Sequence, residues 1–165
     1  MARVTDLEDL LAAVKAVLVS DLNGKIAAIE AQKIADGNGL TPTLDPVDTA
    51  AGYFLQSWSE GILNISPAVF YGCENVKDVS DGGGVVAKIY TIAVYIILTD
   101  NGLTNDYSAR VFRYSRAIEE TLKGLDVDGG GYVKIESVLP VSWPSDRDTS
   151  EEIKLGGVTL TISLA

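Results

Sequence analysis

Histidine is absent from the 165-residue chain, and cysteine occurs once, as Cys73. The first absence removes the side chain that titrates near neutral pH, and with it Ser-His-Asp and Cys-His catalysis and any histidine-ligated zinc. A single cysteine closes no intramolecular disulfide and supplies no thiolate cluster, so a reduced, cytosolic folding environment is expected. Long apolar runs are missing as well. The longest, Ile92 to Leu98, falls far short of the roughly 20 residues that a membrane helix needs. Residues 1–20 do not have the order of a signal peptide, because Asp6, Glu8 and Asp9 interrupt the start. Positive charge is scarce: 13 Lys and Arg stand against 23 Asp and Glu, a net charge of −10. That balance opposes nucleic-acid binding by the chain as a whole. The expectation is a soluble acidic protein that is not an enzyme and needs no cofactor or metal.

What is present is a foldable chain. Hydrophobic residues make up 47%, enough to exclude a disordered acidic tail, and the length suits one domain. Residues 5–22 predict an amphipathic helix, because Leu7, Leu10, Leu11, Val14 and Leu18 follow the i, i+3, i+4, i+7 rule. Thr5 or Asp6 can cap it. Asn23-Gly24 weakens the helix, and a second one is expected over 25–36, with Ile26, Ile29 and Ile34 inward and Gly37 and Gly39 as stops. Residues 37–64 read as an irregular arm or inserted segment. Within it the spacing of Val47, Ala51, Phe54 and Trp58 predicts a short helix after Asp45-Pro46.

The period then changes. Residues 67–73 and 85–99 read as strands, joined by a protruding loop over 74–84 that ends in Gly82-Gly83-Gly84. Both alternating faces of Ile92 to Leu98 are apolar, so that strand is expected to be covered on both sides, by its own helices or by a neighbouring subunit. A helix over 105–123 follows, with Tyr107, Val111, Tyr114, Ile118 and Leu122 on one stripe and Gly124 beyond its end. A turn at 126–131, a strand over 132–139, a second protruding loop over 140–150 and a last strand over 152–164 complete the chain. In that last strand the inward parity switches at Gly156-Gly157, which predicts a β-bulge there. The fold class is α+β: a small, mostly antiparallel sheet of about four strands, packed with an N-terminal helix and one long helix between two hairpins.

Little in this pattern carries chemistry. Asp126-Val127-Asp128-Gly129-Gly130-Gly131 begins like a calcium loop, but its fifth and twelfth positions are Gly130 and Ser137, so two carboxylate ligands are missing. Gly82-Gly83-Gly84 lacks the Gly-Lys-Ser/Thr ending of a phosphate loop. The adjacent pairs Glu119-Glu120 and Glu151-Glu152 point apart and do not form cooperating carboxylates. Arg110, Arg113 and Arg116 lie on one arc of the 105–123 helix opposite its apolar stripe, as a grip for an acidic partner or as surface pairs with Glu119 and Glu120. Trp143, between Pro140 and Pro144, is either a contact anchor or a cover for its own core. Cys73 reads as a small buried apolar residue.

The chain resembles the tail-terminator (tail-completion) proteins of long-tailed bacteriophages in the order and texture of its elements. The resemblance lies in the helix Leu7 to Leu22, the strands Pro67-Ala68-Val69-Phe70-Tyr71 and Ile89-Tyr90-Thr91-Ile92-Ala93-Val94-Tyr95, and the helix Ala109 to Ile118. It ends in the hairpin strand Gly157-Val158-Thr159-Leu160-Thr161-Ile162. Residues 37–64 are longer than such small proteins need, which leaves open another member of the head-to-tail connector set.

The resemblance implies a structural virion protein of the tail or neck, assembled in the host cytoplasm. It would form a ring, usually of six copies, that caps the tail tube and meets the head connector or neck protein. DNA would only pass through the channel. Six copies at −10 make about −60, a charge that lets DNA slide without phosphate contacts. The 74–84 and 140–150 loops are the expected carriers of that charge and of partner contacts, through Asp78, Asp81, Trp143, Asp146, Arg147 and Asp148. The competing class is a non-viral acidic binding module with a concave apolar pocket; a tail tube subunit is a further alternative.

Overall fold

The computed structural model describes residues 6–55, 65–100, 106–125, 127, 133–144 and 152–164. The elements run α1 (Leu7–Ala35), β1 (Tyr53–Leu55), β2 (Ala68–Ser80), β3 (Val85–Asp100), α2 (Tyr107–Leu122), β4 (Val133–Pro144) and β5 (Glu152–Leu164). The sheet has five strands in the order β1-β2-β3-β5-β4, antiparallel except for the parallel pairing of β1 with β2. This is an α+β fold with both helices on one face of the sheet, where they share a single core with it.

Alternation dictates that core. Tyr90, Ile92, Val94, Ile96 and Leu98 of β3 and Val158, Leu160, Ile162 and Leu164 of β5 turn to the helices, and all are buried. Leu10, Val14, Leu18, Leu22, Ile26 and Ile29 meet them from α1, and Val111, Ile118 and Leu122 from α2. Each such side chain contributes about 1.5–3 kcal/mol by leaving water. On the reverse face of β3, Ala93 and Ile97 are fully buried, and Phe54, Ile65 and Phe70 pack around Ile97 and Ala68.

α1 is one helix, not two. Asp6 caps it by accepting the Asp9 N–H at 3.0 Å, and it continues through Asn23-Gly24 because Leu22 and Ile26 on either side are both buried. Tertiary burial outweighs the roughly 1 kcal/mol that a helical glycine costs. The helix ends in a Schellman motif: Gly37, at φ +75°, donates to Ile34 O at 3.0 Å, and Asn38 donates to Lys33 O at 2.8 Å. Ile34, expected inward, is exposed.

The helix expected from Val47 to Trp58 is replaced by a single turn and a strand. Asp48 Oδ1 accepts the N–H groups of Ala50 and Ala51 at 2.7 and 3.1 Å, and Gly52 N–H closes on Asp48 O at 2.8 Å. Gly52 O then accepts the Val69 N–H at 2.7 Å, which hands the main chain to the sheet. A Cβ on Gly52 would stand 2.6 Å from Val47 Cγ1, so only glycine makes this exit. Trp58 lies outside the described residues.

Two further expectations change. The segment 74–84 is strand as far as Ser80, and the loop shrinks to Asp81–Gly84. The register of β5 with β3 runs unbroken through Gly156 and Gly157, so no bulge lies there. The register shift falls in β4, between Val138 and Val141, around Pro140, which cannot donate to a ladder. The glycines serve close approach instead. A Cβ on Gly156 would strike Val111 Cγ1 and stand 2.6 Å from Ser115 Oγ, so α2 seats directly on this point of the sheet.

Candidate assembly surface

The three arginines of α2 do not form an outward grip. Arg113 is buried, and its Nη1 meets Glu30 Oε1 of α1 at 2.6 Å. Its Nη2 donates to the main-chain oxygen of Asn38. Arg110 donates to Thr43 O at 3.3 Å and to Pro42 O. Arg116 is the surface residue of the set, paired with Glu120 at 2.8 Å and reaching Gln32 Oε1 at 3.5 Å. Glu119 pairs with Lys123 at 2.8 Å.

These contacts strap residues 38–47 across the two helices. Leu40, Leu44 and Val47 are buried from the strap into the core. Tyr114 donates to Asp45 O at 2.7 Å, and Glu30 Oε2 accepts the Leu44 N–H at 3.4 Å. Asn23 binds both polar groups of Val47, its Oδ1 accepting the N–H and its Nδ2 donating to the carbonyl, each at 2.8 Å. Main-chain groups that no sheet or helix satisfies are thus met by side chains.

The residues expected to meet partners are placed unevenly. Asp78 lies in β2 opposite Lys88, with 4.0 Å between the charges and both side chains more than half exposed; such a pair is weak. Asp81 accepts the Gly83 N–H at 3.0 Å and so shapes the turn. Trp143 belongs to β4, opposite Ile153 of β5, and not to a loop. Asp146, Arg147 and Asp148 lie outside the described residues, as do Asp126 and Asp128 of the calcium-like turn. Cys73 is half-buried, its thiol 3.3 Å from Asn75 O. Among the described residues no three His, Cys, Asp or Glu side chains gather as a metal site. No helix there is long and apolar enough to cross a membrane.

Other surfaces stand out in the fold that residue patterns did not reveal. An open apolar groove of about 500 Å³ runs between the start of α1 and the β1–β2 edge, lined by Leu7, Leu11, Ala12, Leu55 and Tyr71 with Glu8 and Lys15 at its rim. Val76, Val85 and Val86 are exposed on the far end of the β2–β3 ribbon. Both sheet edges are long. β1 flanks the outer side of β2 only from Val69 to Tyr71, no described strand flanks Asn75–Ser80 on that side, and β4 closes the opposite edge. The groove required Leu55 and Tyr71, far apart in sequence, to be brought to α1, which no local pattern encodes.

Tyrosine acidity records how firmly these elements are packed. Burial pushes Tyr53 up to about 12 while its hydroxyl donates to Leu18 O at 3.2 Å. Tyr114 is raised by burial and by the carboxylate of Asp45, and Tyr71 by burial. Tyr95 is raised by burial first and then by its 3.0 Å hydrogen bond to Glu74 Oε1.

No protein-family model and no curated protein matches this chain.

Proposed function

We propose that the chain is a structural subunit of a bacteriophage tail or neck, a terminator that assembles as a closed ring of about six copies, caps the tail tube and offers a surface to the head connector. The observation that carries this reading is the pair of sheet edges left at opposite sides of one subunit, β2 beyond Tyr71 and β4. Edges of this length invite pairing with another chain. A heterologous contact between two different edges repeats by rotation, and a rotation that closes uses each edge once. The resemblance in element order supports the same reading. The acidic balance of −10 per copy suits a channel through which DNA passes without being held.

A second reading is favoured by the groove along α1. An acidic binding module would use such a concave apolar site for a peptide or a small apolar ligand. Light scattering at rising protein concentration separates the two. The ring reading expects a limiting mass of about 105 kDa, six chains of 17.5 kDa in a closed group. The module reading expects one or two chains at every concentration.

A further inference from the structure

Asn-Gly occurs twice within the described residues, at Asn23-Gly24 and Asn38-Gly39, and the fold treats the two oppositely. We propose that Asn38 is a self-modification site of the folded chain, where the amide closes on Gly39 to a succinimide and opens to aspartate or isoaspartate. The chemistry needs only water. The Gly39 main-chain nitrogen, its proton lost to solvent base, bonds to Asn38 Cγ. The Cγ–Nδ2 bond breaks, and Nδ2 takes a proton from water and leaves as ammonia. A second water then adds to one of the two ring carbonyls and opens the ring. No atom is oxidised or reduced.

Three features converge on Asn38. It is exposed just past the end of α1, and its side chain is held by one bond, Nδ2 to Asp36 O at 3.3 Å. Gly39 has no Cβ to shield the attacking nitrogen, and its N–H has no hydrogen-bond partner among the described residues. The third feature is electrostatic. The Arg113 guanidinium donates to Asn38 O, the carbonyl of the very peptide bond whose nitrogen must ionise. A cationic donor at that oxygen favours the anion, as it does for any acid whose charged form it bonds. Asn23 has the reverse environment. Both polar atoms of its side chain are held by Val47, and Gly24 N–H lies within the α1 ladder.

The consequence is local. Isoaspartate carries the main chain through the side-chain carbons and adds a carboxylate beside Asp36, at the point that Lys33 O and Arg113 hold. The strap and the cap of α1 loosen together as the protein ages.

The test is to hold the full chain at mildly alkaline pH, digest it, and follow the Asn23 and Asn38 peptides by mass and by isoaspartate-specific enzymatic methylation. In the native chain Asn38 should convert at least about tenfold faster than Asn23, which reacts only through local opening of α1. In urea the two rates should converge, and Asn38→Gln should remove the fast signal from the native chain. Equal, slow conversion of both peptides in the native chain would overturn the proposal, as would faster conversion at Asn23.

Discussion

Arg113 of α2 and Glu30 of α1 meet 2.6 Å apart with both side chains nine-tenths or more buried, although 83 residues separate them in the chain. Together with the Asn38 carbonyl and the Leu44 N–H, they tie both helices to the strap that crosses them. Removing one charge leaves the other buried and unpaired, whereas removing both leaves an apolar contact. Glu30→Leu or Arg113→Met alone should therefore cost about 3–5 kcal/mol in urea unfolding, and the double variant much less than the sum. Additive losses would mean that the pair does not act as a unit.

Asn23 and Gly24 are neighbours with opposite roles. Asn23→Ala strands both polar groups of Val47 in a half-buried site, and should destabilise by about 1–3 kcal/mol. Gly24→Ala adds a methyl group where no atom lies within 4 Å, and should stabilise by about 0.5–1 kcal/mol through helix propensity. Thermal unfolding of the two variants reads both signs.

Gly156 lies under α2, against Val111 and Ser115. Gly156→Ala should cost about 1–3 kcal/mol because a packed helix cannot back away without opening the core. Gly156→Ala combined with Val111→Ala should recover part of that loss if the contact is the cause. An unchanged urea midpoint in the single variant would contradict this packing.

Alkaline pH tests the buried tyrosines. In the unfolded chain a phenol titrates near 10, and in the fold Tyr53 titrates at about 12. The unfolded chain then loses these protons first, so this share of stability is present below pH 10 and is lost as pH rises toward 12. Tyr114, raised in the same direction, adds to it. Ultraviolet titration should show Tyr53→Phe removing ionisation at the late end of the curve, and the native protein losing stability as pH climbs past 10. Full ionisation near pH 10 with the fold intact would refute the packing of Tyr53 and Tyr114.

Much of this fold was legible because its elements are strongly periodic. The stripe from Val111 to Leu122 marks α2, and Gly124 marks its end, within two residues of the observed helix. Local propensity puts a break at Asn23-Gly24 because it carries nothing of Val47 docking on Asn23 from 24 residues away. β1 is three residues long and leaves no period to detect. Glu74 to Ser80 reads as loop because the ribbon is wet on both faces, which erases the alternation that a half-buried strand shows. The sequence sets Arg113 outward with Arg110 and Arg116, yet it stands one residue before Tyr114 of the apolar stripe, and Glu30 of α1 is what buries it. The candidate surfaces were the least legible part, since a groove or a free edge belongs to topology and not to any short run of residues.

Negative-stain images of the purified chain put ring closure to the test. Closed rings of uniform diameter with a central hole are expected, formed without any partner and not stacking into tubes. Particles no larger than one or two chains at every concentration, or open filaments of indefinite length, would overturn ring closure.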